Sequence, residues 1–289
     1  MSTTRYEAPR SVADAIRLMH ADPTASVLAG GTDLLIQFRA GVRQPSAFVD
    51  LKHIPELITI SERDDGLRIG ASVAAASICE HPALNRFWPG LVEATHLIGS
   101  TQIQGRASLG GNLCNASPAA DSTCALIVNR AQCVIAGPAG ERRVAVEAFC
   151  TAPGRTVLER GEILVAIDVP RPAAGTADAY LRLIPRTEMD IAIAGAAVSV
   201  TLDASGICTA ARVAVGAVAP TALLVPAATA ALVGSRLDDD ALGRSAEAAR
   251  AVARPIDDKR GTIAYRRQVV GVLVKRAAAK AAERVGRAS

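Results

Sequence analysis

The sequence predicts an α+β protein of two domains, and three observations lead there. Its 289 residues exceed the ~100–200 of an ordinary single domain. Up to about residue 170, short strand-like runs alternate with segments of helical spacing, whereas the remainder reads as a strand hairpin followed by Ala-rich helical sequence. Between the two lies Arg171-Pro-Ala-Ala-Gly-Thr-Ala, a stretch of linker composition directly after a strand-like run. The expected division is 1–175, with subdomains of about 1–56 and 57–175, and then 176–289, a small antiparallel sheet plus helices.

Taken in order, Ser11 is placed to cap a helix over Val12 to His20, since Val12, Ala15, Ile16 and Met19 share one face. Ser26-Val-Leu-Ala follows as a strand. Thr32 or Asp33 then opens a helix over Leu34 to Arg39, stopped at Gly41. Ala47-Phe-Val-Asp-Leu reads as a further strand. Leu57-Ile-Thr-Ile and Leu67-Arg-Ile-Gly flank a polar turn at Arg63-Asp-Asp-Gly66, a hairpin pattern. Helices are expected near 73–80 and 89–99. The segment 99–121 is too rich in Gly, Ser, Asn and Pro for an ordinary helix and reads as a long functional loop. A helix near 123–130 comes next, then strands near 131–136 and 143–146, and then Glu162-Ile-Leu-Val-Ala-Ile-Asp-Val, a strand ended by Pro170. In the C-terminal part, Ile191 to Leu202 and Ile207 to Val218 flank the turn Asp203-Ala-Ser-Gly206. Thr262 to about Gly286 has the spacing of an amphipathic helix, either solvated or facing a partner subunit.

Composition narrows the function. Half of the residues are hydrophobic, yet the chain has only four Phe, three Tyr and one Trp, so aromatic platforms for stacking bases are not expected. The net charge of +4 is spread along the chain, unlike a nucleic-acid footprint. No run suits a signal peptide or a membrane span, and a cytoplasmic protein is expected. The six cysteines contain no C-x-x-C pair, which leaves no close-spaced thiolate set for an iron–sulfur cluster. The four histidines are scattered without metal-ligand spacing.

Two glycine pairs stand where a strand or loop runs into a helix start: Leu28-Ala-Gly-Gly-Thr-Asp-Leu34 and Ser108-Leu-Gly-Gly-Asn112. Lacking Cβ, glycine lets backbone approach a ligand closely, and successive N–H groups in such turns form anion-binding concavities. One pair alone usually just permits a tight turn. Two pairs, each followed by hydroxyl or amide side chains, point to a diphosphate-containing cofactor. Neither G-x-G-x-x-G nor G-x-x-x-x-G-K-[ST] occurs, so a Rossmann site and a P-loop are disfavoured.

At these loops the chain resembles the FAD-binding medium subunits of the molybdenum hydroxylases, the family of xanthine dehydrogenase and aerobic carbon monoxide dehydrogenase. The resemblance is carried by Thr101-Gln-Ile-Gln-Gly-Arg-Ala-Ser-Leu-Gly-Gly-Asn-Leu-Cys-Asn-Ala-Ser-Pro-Ala-Ala-Asp121 and by the early Ala-Gly-Gly-Thr-Asp. Three further stretches extend it over essentially the whole chain: Glu162 to Pro170, Arg186-Thr-Glu-Met-Asp-Ile-Ala192 and Asp258-Lys-Arg-Gly-Thr-Ile-Ala-Tyr-Arg-Arg267.

The resemblance implies a PCMH-type FAD-binding domain of two α/β subdomains followed by the family's C-terminal α+β domain. It implies that Ala29, Gly30, Gly31, Thr32, Asp33 and Leu34 wrap the FAD pyrophosphate, with Ser108, Leu109, Gly110, Gly111 and Asn112 on its other side. It further implies that Asp121 accepts from a ribose hydroxyl or a neighbouring group, and that Leu164, Arg182 and Ile191 lie near the flavin. Ile191 stands where some members place Tyr over the ring, and Gln104-Gly105 replaces the Arg-Asn of many members. Read without the family, Leu164 and Ile191 are ordinary apolar strand residues, Asp121 is a candidate helix cap, and Arg186 with Asp190 is an i, i+4 surface pair.

The implied function is electron transfer: a small partner with two [2Fe–2S] clusters passes electrons to FAD, and a large partner with a molybdopterin cofactor hydroxylates the substrate. A dimer of such heterotrimers is expected, and no catalytic base is sought on this chain. The alternative is a stand-alone flavin oxidoreductase of the vanillyl-alcohol-oxidase type, although neither loop offers an obvious covalent tether. A scaffold that has lost its cofactor fits poorly with two intact glycine loops.

Overall fold

Residues 4–288 are described in a computed structural model. The chain opens with β1 (Arg5–Glu7), α1 (Val12–Ala21), β2 (Ser26–Leu28), α2 (Leu34–Arg39) and β3 (Ala47–Asp50). Ser11 caps α1 by accepting from the Asp14 N–H, and Gly41 takes a positive φ just past α2. The three strands form a parallel sheet in the order β1-β3-β2. Two turns of 3-10 helix, Leu51–His53 and Pro55–Leu57, lead out of it.

The hairpin that follows is β4 (Ile60–Arg63) and β5 (Gly66–Gly70). Its first strand begins three residues later than the hydrophobic pattern suggested, because Pro55 starts a helical turn that takes up Leu57. Next come α3 (Ala75–Glu80), α4 (Pro82–Phe87) and α5 (Pro89–His96), each proline sitting in a first turn where its missing N–H costs nothing.

The segment expected to be a loop instead holds α6 (Thr101–Gln104) and α7 (Leu109–Asn115). Ser108 caps α7 by accepting from the Gly111 N–H, which outweighs the poor helix propensity of the Gly-Gly pair. α8 (Asp121–Val128) begins at Asp121 itself, whose carboxylate makes no cap bond, so its reading as a helix cap does not hold. β6 (Gln132–Gly137), β7 (Gly140–Ala145), α9 (Val146–Phe149), β8 (Cys150–Ala152), β9 (Arg155–Thr156) and β10 (Ile163–Pro170) complete this part. The large sheet is antiparallel in the order β4-β5-β10-β6-β7.

β10 is buried on both faces. Leu164, Ile167 and Val169 face the core under α3–α5, α7 and α8, whereas Ile163, Val165 and Ala166 face a second core against α1, β3 and the 3-10 turns. A register shift between Leu164 and Ala166 puts the neighbours Val165 and Ala166 on one side.

The C-terminal sheet is β11 (Thr176–Leu183), β12 (Ala194–Leu202), β13 (Cys208–Gly216) and β14 (Leu223–Leu224), all antiparallel. β11 starts inside the stretch of linker composition, at Thr176. On one face α10 (Pro226–Leu232), α11 (Asp239–Val252) and α12 (Ile263–Ala288) pack over alternate small residues of the strands, among them Ala177, Ala179, Ala194 and Ala196. α12 is amphipathic and buries one face in its own domain, where Val270, Val274, Ala277, Ala278 and Ala281 are fully buried. On the other face Tyr180, Ala197 and Ala214 join the core of α5 and α8, so the two parts share one apolar interior. Arg186 and Asp190 do pair, at 2.9 Å, but across a bend rather than along a helix.

Candidate functional site

Both glycine loops line a single cavity. The β2–α2 turn contributes Ala29, Gly30, Gly31, Thr32, Asp33 and Leu34, while the start of α7 contributes Ser108, Gly110, Gly111 and Asn112. Leu164 of β10 adds part of the apolar wall, with Val27 and Ile98. Leu109 points elsewhere, being almost fully buried in the main core.

The glycines differ in what they are needed for. A Cβ on Gly30 would stand 1.8 Å from the Arg106 carbonyl oxygen, and one on Gly110 would stand 2.3 Å from that of Ala71. These residues let one backbone pass against another. Gly31 has φ +77°, which disfavours any side chain. Gly111 is different: it lines the cavity, and a Cβ there would meet only Ser108 Oγ, at 3.1 Å. The protein itself scarcely requires glycine at that position, and a ligand lying against the backbone would. Among the described residues, no hydrogen bond uses the amide N–H of Gly30, Gly31, Thr32, Asp33 or Leu34. Five consecutive donors without an acceptor form a site for an anionic or oxygen-rich group.

Several residues that the motifs did not single out position this site. Lys52 Nζ donates to the Ala29 carbonyl at 2.7 Å and to Asp50 at 2.6 Å, and Asp50 also accepts from the Tyr6 hydroxyl at 2.6 Å. The first loop is thus anchored from beneath by a half-buried cation. Gln37 Nε2 donates to Asn115 Oδ1 at 3.1 Å, tying α2 to α7, and both residues line the cavity. Arg43 also lines the cavity. Of these, Gln37 had a sequence signal, lying one helical turn beyond Asp33. Burial pushes the Asp33 carboxyl above its ordinary range. Glu162, also in the wall, is neutralised by Arg142, which donates to both its oxygens at 2.7 Å.

Asp121, Arg182 and Ile191 lie outside the cavity lining. Asp121 is buried and accepts from the Tyr180 hydroxyl at 2.6 Å and from Arg182. Burial pushes its carboxyl up to about 6, against the opposing pull of the Arg182 charge and the two hydrogen bonds. The next residue, Ser122, donates to Asn112 Oδ1 at 2.7 Å, linking this buried group to the second loop. Ile191 is exposed, on the segment after β11.

Comparison with known proteins gives a consistent picture. Residues 2–172 match a family model described as the FAD binding domain in molybdopterin dehydrogenase, and residues 179–281 match the CO dehydrogenase flavoprotein C-terminal domain. The carbon monoxide dehydrogenase medium chain of Hydrogenophaga pseudoflava is 35% identical over 273 residues, 94% of each chain. The putative xanthine dehydrogenase FAD-binding subunit of Escherichia coli (strain K12) is 32% identical over 283 residues, 97% of each. Among solved structures, carbon monoxide dehydrogenase from Hydrogenophaga pseudoflava superimposes with a TM-score of 0.93 at 36% identity, covering 98% of both chains. Quinoline 2-oxidoreductase from Pseudomonas putida 86 gives 0.92 at 30% identity, again covering 98% of both.

Proposed function

The chain belongs to the family of FAD-binding medium subunits of molybdopterin dehydrogenases, and on that premise we propose that it is the electron-transferring flavoprotein component of a heteromeric molybdenum hydroxylase. Bound FAD supplies a ring that takes up electrons singly and gives them up in pairs, relaying them from the [2Fe–2S] clusters of a small partner to an external acceptor, while a large molybdopterin partner hydroxylates the substrate. We place one chain of each kind in a heterotrimer, paired into a dimer of heterotrimers, in the cytoplasm. Among the described residues no helix is long and apolar enough to cross a membrane.

The chain's own residues bind and orient. The N–H groups of Gly30 to Leu34 would hold the diphosphate together with Ser108, Gly110, Gly111 and Asn112. Arg43 offsets its negative charge. Val27, Ile98 and Leu164 exclude water from the inner wall, which strengthens every polar contact beside them. Lys52 keeps the first loop in place through the Ala29 carbonyl. Asp121, held by Tyr180 and Arg182, acts as a positioning residue: it fixes the start of α8 so that Ser122 orients Asn112. No side chain of this chain is assigned an acid–base role.

The observation that carries this reading is the Gly111 backbone, open to the cavity and unopposed by the protein save for one hydroxyl. Two measurements test it. The purified chain is expected to show visible flavin absorbance and to release FAD, rather than FMN, on denaturation. Expressed with the genes beside its own, it is expected to co-purify with molybdenum and iron. A folded chain that neither carries nor takes up FAD would overturn the proposal, and a flavoprotein that oxidises a substrate alone would transfer it to the stand-alone oxidoreductase class.

A further inference from the structure

Ser72 lies in the turn that follows β5, and that turn is firmly held. Its N–H donates to the Leu57 carbonyl at 2.8 Å, and the preceding Ala71 N–H donates to the Val165 carbonyl at 3.0 Å. The residue is 6% exposed, its Oγ is fully buried, and among the described residues that hydroxyl has no hydrogen-bond partner. A hydroxyl that loses water on folding and finds no replacement is a net cost to the fold. Other buried polar atoms share this condition, including Trp88 Nε1, Thr123 Oγ1 and Ser245 Oγ, but of the described side chains left in this way only Ser72 is in the wall of the cavity between the glycine loops.

Its place in that wall is specific. Gly110 packs so tightly on the Ala71 carbonyl that a Cβ would come within 2.3 Å, which seats Ser72 directly beside the second glycine loop. Gly111, one residue further on, is the glycine with open space before it.

We propose that Ser72 is a cofactor-binding residue whose hydroxyl, turning about the Cα–Cβ bond out of its buried position, donates to an oxygen of the dinucleotide's diphosphate, completing on the β5 side the ring of donors formed by the two glycine loops. This rests on the FAD reading above. The hydroxyl is carried by the folded chain at a loss and recovers that loss only when the cavity fills, which makes it a device for affinity rather than for folding.

Ser72→Ala separates these possibilities, because removing an unpartnered hydroxyl leaves the ligand-free fold at least as stable. The ligand-free variant is expected to unfold at or above the wild-type midpoint, while its affinity for FAD falls about 10- to 150-fold, the worth of one hydrogen bond to a charged acceptor. Titration with ADP, which carries the diphosphate without the flavin, is expected to show a comparable fold-loss, and riboflavin titration none. A lower midpoint without ligand would make Ser72 a structural residue and overturn the proposal. Unchanged FAD affinity would do so as well, and a loss confined to FAD and riboflavin would move the contact away from the diphosphate. Failure of the wild-type chain itself to bind FAD would instead refute the functional reading on which this one stands.

Discussion

Adjacent glycines with opposite duties give the sharpest test of how this site is built. In Gly110→Ala the new methyl carbon would lie 2.3 Å from the Ala71 carbonyl oxygen and 2.7 Å from the Ala71 Cβ. Neither neighbour can swing aside, since Ala71 is bonded through its N–H to β10. Such overpacking costs about 1–3 kcal/mol, and more where backbone must move. In Gly111→Ala the nearest atom is Ser108 Oγ at 3.1 Å, a contact relieved by a small shift. Against it stands the gain of about 0.5–1 kcal/mol for replacing glycine by alanine inside a helix. The expected result is a Gly111→Ala apoprotein equal to wild type or slightly more stable, beside a clearly destabilised Gly110→Ala.

Flavin binding reverses the order of consequence. On the proposed reading the methyl of Gly111→Ala would occupy space where the cofactor meets backbone, and a forced displacement of about 1–3 kcal/mol corresponds to roughly five- to 150-fold weaker binding. Denaturant unfolding of the two apoproteins, followed by FAD titration of Gly111→Ala monitored by flavin fluorescence, measures both quantities. Equal destabilisation by the two substitutions would refute the division of roles, as would wild-type FAD affinity in Gly111→Ala.

Two further perturbations probe the frame around the site. Asp178 is buried and accepts from the Gly90 and Leu91 N–H groups and from Asn129 Nδ2, at 2.8, 3.2 and 2.7 Å, so Asp178→Ala strands three donors and is expected to lower stability by about 3–5 kcal/mol in a urea titration; a loss under about 1 kcal/mol would show that water replaces the carboxylate there. Asp121, raised by burial from 3.8 to about 6, keeps its proton when folded over a range where the unfolded chain has released it, so apoprotein stability is expected to fall by up to about 3 kcal/mol as pH rises through that window. Unfolding midpoints measured across it should lose this slope in Asp121→Asn, and an unchanged slope would assign the effect to another group.

Much of this architecture was legible in the residues. The Ser11 cap, the Gly41 stop, the Asp203-Ala-Ser-Gly206 turn and the apolar run ending at Pro170 each act through local chemistry, and each element stands where that chemistry puts it. β11 escaped notice because its apolar alternation is interrupted by Asp178 and Arg182, whose partners come from distant segments. α6 and α7 were hidden by composition: glycine and polar residues argue against helix until Ser108 supplies a cap and tertiary packing holds the turn. At the site, the glycine loops were visible as motifs. Lys52, Arg43 and Ser72 were not, since each matters through a contact or a place in the cavity wall that exists only once segments far apart in sequence are brought together.

The burial of every residue of α8 has a practical side. This helix is enclosed by the nucleotide-binding half and by the far sheet, so neither half owns it. A chimera spliced at residues 171–175 between two relatives would inherit α8 from one parent and the strands it lies against from the other, and mismatched side chains would meet at the centre of the molecule. Grafting the C-terminal region of one such protein onto another therefore calls for exchanging residues 121–128 along with it.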